Sequence, residues 1–91
     1  MLTPFPTKQY EKSFKKLKHS GKFDEKELNK IIDLLCVGNR LGPIYQDHAL
    51  HGSLAGFREC HIKGNLLLMY YIKNQELVLV LFNIGTHSEL F

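Results

Sequence analysis

Apolar and polar positions alternate along this chain in two different rhythms. Tyr10, Phe14 and Leu17 recur at helical spacing, with Lys8, Lys12, Lys15 and Lys16 on the opposite face. Thr7 offers an N-cap and His19-Ser20-Gly21 a stop, which predicts a first helix between them. Leu28, Ile31, Ile32 and Leu35 form a second stripe. It begins at Asp24, with Glu27 in capping-box position, and ends at Gly38-Asn39. Two amphipathic helices joined by a short turn read as a helical hairpin.

Helical periodicity is then lost in a polar stretch, and the rhythm beyond it is that of strands. Residues 40–56 are rich in glycine and polar side chains and are expected to be a long loop. Phe57–Lys63, Leu66–Lys73 and Glu76–Ile84 then read as three strands, with turns at Gly64-Asn65 and Asn74-Gln75. Met1–Pro6, with two prolines, suits only an edge strand or an extended lead-in. In the last strand Leu77, Leu79 and Leu81 point one way and Val78, Val80 and Phe82 the other. That strand should be central and covered on both faces. Helices followed by strands indicate an α+β fold, a twisted antiparallel β-sheet with the N-terminal two-helix hairpin on one face. The 91 residues are expected to form one domain, 1–91.

Composition narrows the class. At 44% hydrophobic the chain can build an ordinary core, and disorder is not expected. Cys36 and Cys60 form no C-x-x-C pair and read as reduced thiols of a cytoplasmic protein. No leader-like segment or membrane-length apolar run is present, and no membrane association is expected. Charge is unevenly spread. The first 30 residues hold eight lysines against four acids, within an overall net charge of +3. Such a face suits an anionic partner such as nucleic acid, or else is simply a solvated lysine-rich helix.

The chemistry rests on histidine. His48, His51, His61 and His87 lie in the loop, the first long strand and the tail, segments that a sheet can bring to one edge. Two or three imidazoles and Arg58 could move protons and stabilise a phosphorane without a metal. Surface histidines without a catalytic role are the plain alternative. Zinc bound by His48, His61, His87 and Cys60 is another, disfavoured because Cys60 and His61 point to opposite faces of a strand. Phe57 and Phe91 could stack on bases, although Phe57 also suits the core. The glycines Gly52, Gly56 and Gly85 match no phosphate-loop spacing.

Three blocks carry a resemblance. They are Gln46-Asp47-His48-Ala49-Leu50-His51-Gly52-Ser53, then Gly56-Phe57-Arg58-Glu59-Cys60-His61-Ile62, then Gly85-Thr86-His87-Ser88-Glu89-Leu90-Phe91. In order and spacing they resemble the YafQ branch of the RelE/ParE toxin superfamily, over essentially the full length. The resemblance implies a RelE-like microbial RNase toxin fold and a type II toxin–antitoxin module. It implies a ribosome-dependent messenger RNA endoribonuclease with His48, His61 and His87 as catalytic residues, His87 being the proton donor. No cofactor or metal is implied. Arg58, Glu59, Asn65, Asn83 and Phe91 are expected to support RNA or the transition state, and Lys8, Lys12 and Lys15 to grip RNA. Implied partners are a cognate antitoxin, the ribosome and messenger RNA, with operator DNA reached only through the antitoxin complex. The free toxin is expected to be a monomer.

Two positions depart from the family pattern. Asn65 stands where an acid is expected and Asn83 where an arginine is expected. Asparagine neither accepts a proton nor neutralises charge. The alternative is therefore a catalytically weakened homologue that binds antitoxin or ribosome. A ParE-like topoisomerase inhibitor is a third reading, one with no need for the histidine set.

Overall fold

The computed structural model describes residues 1–21 and 23–91. Helix α1 spans Lys8–Ser20. Thr7 caps it by accepting from the Tyr10 N–H at 3.1 Å, and Gly21 closes it with φ +72°. Helix α2 spans Glu25–Cys36. Asp24 caps it through the Glu27 N–H, and the Asn39 N–H bonds back to the Leu34 carbonyl past Gly38, satisfying a carbonyl that the helix end leaves free.

The strands are β1 (Thr3–Pro6), β2 (His48–Ala49), β3 (Arg58–His61), β4 (Leu66–Lys73) and β5 (Val78–Thr86), in the spatial order β1-β5-β4-β3-β2. Neighbours from β2 to β5 pair antiparallel, and β1 adds a parallel edge to β5. The Leu2 N–H donates to the Cys36 carbonyl at the end of α2, so the lead-in is tied to the hairpin before it joins the sheet.

β5 is central, as its two apolar faces demand. Leu79, Leu81 and Ile84 pack with Tyr10, Leu28, Ile31 and Leu35 of the helices. On the other face Phe82 meets Phe57, with ring centroids 4.7 Å apart, and Phe57 meets Tyr71 at 5.2 Å. Phe57, at the end of the loop, thus supplies part of the second cover. A bulge between β4 and β5, where the register shifts at Met69/Tyr70, explains how Leu81 and Ile84 share a face despite their odd spacing.

Several element bounds differ from expectation, and β3 runs Arg58–His61 rather than Phe57–Lys63. β5 begins at Val78 because Leu77, with φ +56° and 55% exposed, belongs to the preceding turn. It runs on through Gly85 and Thr86, and the tail then winds into a four-residue helix α3, His87–Leu90. The expected loop contains β2 and two 3-10 turns, Pro43–Tyr45 and Gly52–Leu54. Short hydrogen-bonded pieces of this kind leave no periodic signature.

Leu79 is fully buried between helices and sheet. Leu79→Ala should lower unfolding free energy by about 2–5 kcal/mol, read as a lower urea midpoint with an unchanged slope.

Candidate active site

Strand pairing lays the site out in rows. His48 on β2 stands opposite Glu59 on β3. Two residues along β3, on the same face, His61 stands opposite Leu67 of β4, which stands opposite Gly85 of β5. Two residues beyond Gly85 is His87. Sheet geometry therefore brings three separate stretches of chain to one end of one face. Glu59, His61, Gly64, Asn65, Leu67, Thr86, His87 and Ser88 line an open cavity there, of about 440 Å³.

His48 does not line this cavity but stands beside it, against Glu59. Its Nε2 lies 3.6 Å from Glu59 Oε1, while its Nδ1 lies 2.7 Å from the Gln46 carbonyl. A carbonyl only accepts, so Nδ1 carries a proton, and Nε2 is the nitrogen turned toward Glu59. Glu59 is 5% exposed, and its second oxygen, Oε2, has no hydrogen-bond partner. A buried carboxylate oxygen left unpaired is costly, and it suits a donor brought by a ligand.

The C-terminal turn is held by Glu89. Its Oε1 accepts from the Thr86 N–H at 2.8 Å and from the Thr86 hydroxyl at 3.1 Å, forming a capping box. Lys16 of α1 pairs with the other oxygen at 3.4 Å. A Cβ at Gly85 would come within 3.1 Å of Glu89, so glycine there lets the carboxylate fold over the strand end. The Thr86 bonds hold the Glu89 carboxyl below its ordinary value. Within the turn, the His87 and Phe91 rings lie 5.0 Å apart.

Other expected residues are not brought to this cavity. Arg58 sits on the opposite face of β3, where its guanidinium donates to Asp47 at 2.8 Å and its positive charge is already matched. The Asn83 carbonyl oxygen accepts from the Ser13 hydroxyl of α1 at 2.7 Å, beside a separate cavity lined by Gln9, Lys12 and Lys16. Lys8, Lys12 and Lys15 are exposed along α1, and His51 is exposed at the head of the second 3-10 turn. Cys60 is buried in the helix-facing core, where burial pushes its thiol up to about 12. It is therefore a protonated core residue that faces away from the histidines. Among the described residues no group of three or more His, Cys, Asp or Glu is arranged to hold a metal ion.

Two contributions escaped the sequence. Glu89 could have been found from the Thr86-x-x-Glu89 spacing, a capping-box signature. Asp47 and Tyr70, which bond to each other and hold the loop, have no spacing signal, because they meet only through the sheet.

Comparison with known proteins gives the family of the chain. The model of a family described as bacterial toxin of type II toxin-antitoxin system, YafQ, matches residues 2–91. This chain belongs to the YafQ family. The mRNA interferase toxin YafQ of Escherichia coli strain K12 is 34% identical over 70 residues, covering 72% of this chain and 74% of that protein. The structure of a metal-bound toxin from Helicobacter pylori is 47% identical, with TM-score 0.91 and full coverage of both chains. YafQ in the E. coli DinJ-YafQ complex is 27% identical, with TM-score 0.84, covering 100% of this chain and 99% of that one. No helix among the described residues is long and apolar enough to cross a membrane.

The Glu89 shift has a pH consequence in this YafQ-family chain. A depressed carboxyl stabilises the folded turn above its ordinary value near 4.5, and that contribution is lost as pH falls through the lower folded value. The His87 and Phe91 ring resonances should therefore move together on acidification below pH 4.5. In Glu89→Gln that coupled movement should disappear.

Proposed function

We propose that this chain is the toxin of a type II toxin–antitoxin module and cuts messenger RNA on the ribosome by histidine acid–base catalysis. One observation carries the reading. His61 and His87 line a single open cavity, with His48 held against a buried carboxylate of the same cavity. Cleavage of this kind needs a base for the 2′-hydroxyl proton and an acid for the departing 5′-oxygen. His48 Nε2 is suited to be the base, since Nδ1 is occupied by the Gln46 carbonyl and Glu59 would stabilise the imidazolium that forms. His87, on the capped C-terminal turn, is suited to be the acid. His61 stands between them to contact the phosphate, and Phe91 offers a ring beside His87 for a base. Asn65 lines the cavity and can hydrogen-bond phosphate or a histidine. No metal takes part in this scheme.

The names of similar proteins support the class of activity and the antitoxin as partner. The exposed lysines Lys8, Lys12 and Lys15 suit ribosomal RNA. A protein that acts on ribosomes works in the cytoplasm. A second reading, a weakened nuclease that chiefly binds antitoxin or ribosome, is favoured by one feature. Among the described residues no lysine or arginine lines the histidine cavity, and Asn83 is engaged with α1 instead.

Expression without antitoxin, with mapping of messenger RNA ends, decides between them. Growth arrest with codon-aligned cuts that vanish in His87→Ala is expected. Arrest without cuts would favour the weakened homologue. Purified toxin should cut ribosome-bound message equally well with and without a strong chelator, whereas loss of cutting on chelation would overturn the metal-free scheme. Asn65→Asp should raise the rate by supplying an acid at the cavity. Changing Lys8, Lys12 and Lys15 together to Glu should abolish co-sedimentation with ribosomes.

A further inference from the structure

The loop that carries His48 is fastened from behind by a polar cluster outside the histidine cavity. Asp47 accepts from the Arg58 guanidinium at 2.8 Å through one carboxylate oxygen and from the Tyr70 hydroxyl at 2.5 Å through the other. Tyr70 is 1% exposed in the core of β4, and Arg58 and Tyr70 are paired across β3 and β4. Both oxygens of Asp47 are thus tied to the central strands of the sheet. The residue before Asp47 is Gln46, a non-glycine held at φ +50°, a conformation that L side chains adopt only when their surroundings impose it. That backbone twist is what offers the Gln46 carbonyl to His48 Nδ1. Residue by residue, 46 supplies the carbonyl, 47 is locked to the sheet, and 48 pairs with Glu59 on the opposite face.

We propose that Asp47, Arg58 and Tyr70 are positioning residues for His48, which hold its imidazole in the Nδ1–H form with Nε2 as the free base beside Glu59. Arg58 then acts by anchoring a loop, and its charge is used on Asp47 rather than on the phosphate. Without the cluster, Gln46 relaxes from its left-handed conformation, the carbonyl leaves Nδ1, and the exposed ring of His48 samples both tautomers. The kinetic part of this proposal rests on the reading of His48 as the base in RNA cleavage. The tautomer part does not.

The test uses the full chain with Tyr70→Phe, which removes one oxygen and keeps the ring, and Asp47→Asn, which keeps the shape but loses the charge. Long-range proton–nitrogen NMR correlations of the His48 ring report its tautomer, and turnover of ribosome-bound message reports kcat and KM. In the unaltered chain a fixed Nδ1–H ring is expected. Tyr70→Phe should give averaged ring-nitrogen signals and a kcat lower by about tenfold to 100-fold, with KM nearly unchanged, as for a misplaced catalytic group. Leu79→Ala, which weakens the core without touching the loop, should keep the fixed tautomer. If Tyr70→Phe does not fold, Asp47→Asn is read in its place, with the same direction expected. A variant of the cluster that retains the fixed Nδ1–H ring, or an unaltered chain whose His48 ring carries its proton on Nε2, would overturn the proposal. Unchanged cutting by His48→Ala would instead remove His48 from the cleavage scheme, and the ring signals would still decide whether the cluster positions it.

Discussion

The alternation of side chains along β3 is the constraint on which the rest of this structure depends. In four consecutive residues, Arg58 and Cys60 face the helices and the loop anchor, while Glu59 and His61 face the cavity. A slip of one residue in the pairing of β3 with β4 would exchange the two sets. It would put a carboxylate and an imidazole into the apolar core and expose a thiol and a guanidinium. The inward exchange is the costly one, because a carboxylate and an imidazole would then be buried among apolar side chains without partners. Register, core and site are thus set by one decision. The buried stripe of Leu68 and Tyr70 on the paired strand makes that decision firm, since both are all but inaccessible to water.

Much of this was legible in the chain, and the reasons are physical. The helical hairpin could be read from Tyr10, Phe14 and Leu17, from Leu28, Ile31 and Leu35, and from the caps at Thr7 and Asp24, because helix periodicity and capping are local. The central place of β5 could be read from its two apolar faces. The opposed directions of Cys60 and His61 follow from a period of two. What stayed hidden is non-local. Arg58 looked like charge available to a substrate because nothing in the sequence says that Asp47, eleven residues earlier, returns to meet it. Asn83 looked like an inferior arginine, yet its amide oxygen is taken by the Ser13 hydroxyl of α1, seventy residues earlier in the chain. The bulge between β4 and β5 shifts the face of every later residue in β5, and no pattern of hydrophobic positions announces it.

The electrostatics of the cavity follow from that rearrangement. With Arg58 matched by Asp47 and Lys63 paired with Asp24 at 3.3 Å, no lysine or arginine among the described residues lines the space between His61 and His87. Glu59 contributes a buried carboxylate there, with one oxygen unpaired. An incoming phosphodiester would therefore meet negative charge unless an imidazole is protonated. On the proposed scheme positive charge at the reacting phosphate would come from the imidazoles themselves, from His61 as its contact and from His87 as the acid. A site built in this way gives up the fixed cation that would stabilise a phosphorane at any pH, and becomes sensitive to the protonation of two rings. Precise placement of each ring then matters more, because no strong electrostatic field compensates for a misplaced one. On that scheme the fastening of His48 by a cluster on the far face of the sheet, and of His87 by Glu89 and Lys16, would bear on the chemistry of the cavity as well as on the stability of the fold.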